Sequence, residues 1–154
     1  ALPQIPGITA TDEHPNGCVD CHKNYPQYNR DFRLSTLIKG WSEKGAEPEL
    51  VNLAKACAGK FVKIRGKHKN LTNLLRQKKA KIPTACLGCH QKIALFSPSI
   101  AKMIHLIHFT TKKEFTGEDG NGFLLHSGGF CTNCHTVNPK NGKVTLKNGS
   151  ETEK

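Results

Sequence analysis

Three times in 154 residues the chain spells Cys-x-x-Cys-His: Cys18, Cys21 and His22; Cys86, Cys89 and His90; Cys131, Cys134 and His135. No other feature limits the fold as tightly. Two thiols three residues apart on one turn match the two vinyl groups of a porphyrin, and the next residue's imidazole then lies beneath the iron. The pattern reads as three covalent attachment sites for haem c, with six thioether cysteines and three proximal histidines. The alternatives fit less well. A structural zinc site closes four N/S ligands around one metal, and the spare partners here are not arranged to complete such sets. A redox dithiol occurs once, beside a strand-helix unit, and has no use for the repeated His. Cys57, in Ala-Cys-Ala-Gly, has neither an adjacent His nor a partner cysteine. It reads as a small buried apolar residue, with an intermolecular disulfide as the alternative.

The rest of the composition suits a cofactor-filled interior. Leu, Ile, Val and Phe make 35 of 154 residues, only a little above the roughly 20% below which a highly charged chain stays disordered. The polypeptide core is thin, and large flat groups buried on both faces would supply the missing apolar surface. The formal charge is +11, and residues 50–113 hold fourteen Lys and Arg, Lys67, Lys69 and Arg76 among them, with no Asp or Glu. Such a run suggests an anionic partner or a solvated basic face. Three haems bring six propionates, which offset about half of the excess, so nucleic-acid binding is not expected. No apolar run approaches the roughly 18 residues of a membrane span, and no transmembrane segment is expected. With no initiator Met and no signal-type apolar stretch, the chain reads as mature and soluble.

At this length one domain is expected over residues 1–154. The motifs begin 68 and then 45 residues apart, so no fixed repeat is present. Residues 1–17, with Pro3, Pro6, Gly7, Pro15 and Gly17, read as an extended N-terminal arm that docks. Helices are expected over 48–58, 70–80 and 99–109, with a shorter segment at 32–41 and a glycine-rich loop at 117–122. Residues 138–154 read as a turn or hairpin, with a strand at 144–146, and a frayed tail. The fold class is therefore mainly α with little regular structure: a loop-rich triheme cytochrome c wrapped around a haem stack.

Each iron needs a second axial ligand, and His105, His108, His126, His14 and His68 are the candidates, in that order. His105 and His108 lie three apart on a helix whose apolar stripe is Ile100, Met103, Ile104 and Ile107. Side chains at i and i+3 share a face, so the two cannot sit on opposite sides of one iron. If both ligate, they serve two haems held close together. If not, one is a core histidine. Met103 belongs with the stripe rather than with an iron. His14 is either a ligand or an exposed turn histidine, and His68, between two lysines, reads as solvated.

The segment Lys102-Met103-Ile104-His105-Leu106-Ile107-His108 resembles the M-I-H-x-I-H stretch between haem motifs in outer-surface multihaem cytochromes of metal-reducing bacteria. Leu125-His126-Ser127-Gly128-Gly129 is similar to the His-Gly-Gly that precedes a haem motif there, apart from the inserted Ser127. The likeness covers residues 86–135. Those relatives are larger and carry more haems. In haem count and surplus histidines the chain also resembles extracellular cytochromes that polymerise into conducting filaments. That resemblance implies an extracellular or cell-surface location, with the periplasm as alternative, and self-association in which His14 caps a haem of the next copy.

With two imidazoles on every iron no coordination position is left for substrate. The expected function is electron transfer to redox partner proteins or an extracellular acceptor, and not enzymatic catalysis. The competing reading is a small multihaem reductase, or a subunit of one, with one open iron. No Cys-x-x-Cys-Lys variant is present to mark such a site.

Overall fold

The computed structural model describes residues 2–44, 81–91, 99–109 and 122–147. The helices expected at 48–58 and 70–80, most of the 117–122 loop, Cys57 and His68 lie outside these residues.

Each motif folds as a single turn. In the first, Cys18–Cys21 is helix α1, entered through Gly17 at φ 68° and closed by the His22 N–H on the Cys18 carbonyl at 2.8 Å. In the second, α3 spans Thr84–Leu87, and the His90 N–H reaches the Cys86 carbonyl at 2.9 Å. The third coils more tightly, as a 3₁₀ turn at Cys131–Asn133, with the Cys134 N–H on Cys131 at 3.1 Å. An i to i+4 or i+3 closure brings the two cysteines and the histidine of a motif round to one side.

After α1 the chain makes a short antiparallel hairpin, β1 (Asn24–Tyr25) with β2 (Arg30–Asp31), and Asn29 takes the left-handed conformation that its small polar side chain tolerates. Asp31 then launches α2 (Leu34–Lys44): its carboxylate accepts from the Arg33 backbone and guanidinium and from the Thr36 hydroxyl. Those bonds hold the Asp31 carboxyl well below the usual carboxylate range, the Arg33 side chain contributing most. Helix α4 covers Ile100–Phe109, and its Met103 N–H bonds back to Ser99. Helix α5 (Gly122–Ser127) stops at Gly128 and Gly129, both at positive φ. A Cβ on Gly128 would lie 2.5 Å from the Phe130 ring, so only glycine lets the chain turn this sharply into the third motif.

The third motif runs directly into β3 (His135–Val137), which pairs antiparallel with β4 (Val144–Leu146), His135 opposite Leu146. Asn138 and Asn141 shape the connecting turn by accepting the N–H groups of Lys140 and Lys143.

Among the described residues the buried apolar side chains are Val19 and Ile82, at 5% and 1% exposure. Leu34, Ile38, Cys18 and Ala85 pack around them. Val19 lies between the cysteines of the first motif and Ile82 just ahead of the second, so the small core joins two motifs. The N-terminal residues are folded back on themselves, with the Gly7, Ile8, Thr9 and Ala10 N–H and carbonyl groups closing turns between 5 and 10.

Candidate metal centre

The three motifs gather. The Cys18 and Cys134 thiols lie close enough to interact, which brings the first motif beside the third, and Cys86 lies near enough to act electrostatically on Cys18. All six motif cysteines are free thiols. The interaction with Cys134, with burial added, pushes the Cys18 thiol far up; the same interaction draws Cys134 down, against its own burial and with help from Lys147. Burial raises Cys21 and Cys86.

Helix α4 places its two histidines against two motif histidines. The His108 and His22 ring centres are 6.1 Å apart, and those of His105 and His135 are 6.2 Å apart. A metal ion held between two imidazoles at about 2 Å from each nitrogen sets the ring centres about 6 Å apart. The interplanar angles, 85° and 38°, are both permitted, because rotation about the ligand axis is free. The pairs are made across 86 and 30 residues of sequence. They draw neighbouring positions of one helix face toward the first and third motifs.

The nitrogens are prepared for the same role. His22 Nδ1 donates to the Phe32 carbonyl at 3.0 Å and His108 Nδ1 to the Ile104 carbonyl at 2.8 Å. Each bond selects the tautomer whose Nε2 carries a free lone pair. Burial pushes the His22 imidazole toward its neutral form, as does neighbouring His108, while the bond to Phe32 opposes them; a neutral imidazole is the metal-binding state. His135 Nδ1 is buried without a hydrogen-bond partner among the described residues. Phe123 stacks edge-on to His108 and to Phe109, and Phe109 lies beside His105. These rings form an apolar wall along the helix.

The other candidates lie elsewhere. His90 is half-buried in the second motif, and its carbonyl accepts the Ile100 N–H at the start of α4. His14 and His126 line one open cleft of about 450 Å³ with Glu13, Phe130 and Asn133. His14 is fixed at three points: its N–H donates to Asp12, its carbonyl accepts from Lys147, and Nδ1 meets Asn133 Oδ1 at 3.1 Å. Asn133 Nδ2 donates to the Ser127 carbonyl, which fixes the amide orientation and makes His14 Nδ1 the donor. In its neutral form His14 would then have Nε2 as the free ring nitrogen. Among the described residues, no three His, Cys, Asp or Glu side chains are grouped to hold a bare metal ion.

Sequence reasoning missed Lys147, Asp12 and Asn133. Lys147 is 4% exposed in its side chain and donates to Asp12, to the His14 carbonyl and to the Thr132 carbonyl. Its position after Val144-Thr145-Leu146 in a polar C-terminal stretch carried no signal of burial.

The donor set fits haem c: six free thiols in three one-turn motifs, two motif imidazoles facing helix imidazoles at ligand spacing, and aromatic rings beside them. Comparison of the chain with protein-family models, with curated proteins and with solved structures finds no match.

Proposed function

We propose that the chain is a multihaem c-type cytochrome whose task is electron transfer. One observation carries the proposal: the two histidines of α4 each face the histidine of a different Cys-x-x-Cys-His motif at a spacing that admits one metal ion. In this reading Cys18 and Cys21, Cys86 and Cys89, and Cys131 and Cys134 hold three haems through thioethers. His22 with His108 and His135 with His105 would hold the irons of two of them. His90 takes its second ligand from His126, His14 or His68. When bound, haem supplies one-electron ferric/ferrous chemistry, at low potential under two imidazoles. The protein's part is to fix the spacing, to orient the His22 and His108 rings through their Nδ1 bonds, and to keep the His22 imidazole neutral by burial, with Phe109 and Phe123 beside the helix histidines.

If all three irons take two imidazoles, no coordination position is left for substrate, and outer-sphere transfer is favoured over the reductase reading. Ferric spectra decide between them. A fully low-spin protein that does not take up cyanide at native pH is expected; one high-spin, cyanide-binding haem in three supports the reductase instead. The location, extracellular or at the cell surface, and assembly into filaments rest on the resemblance alone. Among the described residues no helix is long and apolar enough to cross a membrane. If His14 caps a haem of a second copy, His14→Ala abolishes assembly and turns one haem high-spin; unchanged assembly counts against a role in trans.

A further inference from the structure

We infer that Lys147 is a positioning residue that sets the gap between the haems of the first and third motifs, an inference that rests on the cytochrome reading above. Its ammonium group sits where the two attachment loops converge. From the first motif's side it takes Asp12 Oδ1 and Oδ2, both at 2.9 Å, and the His14 carbonyl at 2.8 Å. From within the third motif it takes the Thr132 carbonyl. Its backbone N–H donates to the Cys134 carbonyl at 2.9 Å. A Cβ on Gly17, the residue before Cys18, would lie 3.0 Å from Lys147 Cβ, so the first motif is laid directly on this side chain.

All three ammonium protons are satisfied, two of them by carbonyls on opposite sides of the seam. A buried ammonium is costly unless it is bonded in full, so the three acceptors are held at a fixed separation. That separation has a consequence at the cysteines. Gly17, beside Cys18, and Cys134 both lie against Lys147, and the histidines opposite the two motifs sit one turn apart on α4. Two haems attached there lie in close electronic contact, and Lys147 determines how close. Arginine cannot replace it, because a planar guanidinium does not converge three donors on one point.

The test uses the full chain matured with its haems, read by circular dichroism in the Soret band, where two closely stacked haems give a bisignate signal. The wild type is expected to show it. In Lys147→Met, compared where the far-ultraviolet spectrum matches wild type, the amplitude is expected to fall at least twofold while three low-spin haems are retained. Asp12→Asn gives a smaller loss. A change of stability alone leaves the signal of the folded protein unaltered. If Lys147→Met does not mature, Asp12→Asn and Gly17→Ala, which disturb the same seam with the lysine in place, decide by the same readout. An unchanged bisignate signal in these variants overturns the inference, as does a wild type with three low-spin haems and no bisignate signal; a wild type with no covalent haem overturns the cytochrome reading itself.

Discussion

His105 and His108 show how much two side chains can determine. Their spacing of three places both on one face of α4, and the structure turns each toward a different motif histidine, at 6.2 and 6.1 Å between ring centres. Replacing one therefore affects one site. Under the proposed reading, His108→Ala is expected to leave the haem on Cys18 and Cys21 attached and turn one haem in three high-spin; His105→Ala is expected to do the same at the third motif, and the double variant to give two. Electron paramagnetic resonance spin counting checks this. Asp12 offers a pH test of the Lys147 seam. Burial raises its carboxyl, but the Lys147 bond, the His14 N–H and nearby charge outweigh that and leave it below 3.8. A lowered folded-state value stabilises the fold above the unfolded value and is lost as pH falls through the folded one. Asp12→Asn is therefore expected to cost about 1 kcal/mol at neutral pH. Urea unfolding should show that difference shrinking as pH falls below the usual carboxylate range.

At the level of elements, what was readable depended on how local the signal was. The helix expected at 99–109 is present as Ile100–Phe109 because its stripe of Ile100, Met103, Ile104 and Ile107 has helical period. The strand at 144–146 is present because Asn138, Asn141 and Gly142 dictate a turn before it. The hairpin of Asn24–Tyr25 with Arg30–Asp31 was not foreseen: two-residue strands carry no period, and only Asn29 marks the turn. The arm at 1–17 was read as extended from its prolines, and the turns closed within residues 5–10 come from backbone bonds that proline content does not reveal. Lys147 was illegible because its burial depends on three acceptors 15 to 135 residues away. Since α4 carries both proposed ligands, its register is the sensitive quantity. An alanine inserted between Leu106 and Ile107 rotates His108 by about 100° relative to His105. One high-spin haem is expected by resonance spectroscopy, with the His105 site intact.

For the molecule as a whole, the described part has a core of two fully buried apolar side chains, Val19 and Ile82. Larger groups such as Phe109, at 43%, and Leu125, at 61%, stay open to solvent. Burial of apolar surface contributes about 25 cal/mol per Å², and under the proposed reading covalent haem would add its two faces to the apolar surface buried around Val19 and Ile82. A variant with all six motif cysteines changed to Ser is expected to lose cooperative unfolding, giving a flat urea transition and little near-ultraviolet dichroism, whereas the matured protein unfolds in one step.

The central claim is that three porphyrins are bonded to this chain through paired cysteines. Intact-mass spectrometry of the matured protein, joined to a pyridine haemochrome assay, tests it most directly: the account predicts the polypeptide mass plus three haems that resist acid-acetone extraction, and a chain bearing fewer than three, or haem that extracts freely, contradicts it.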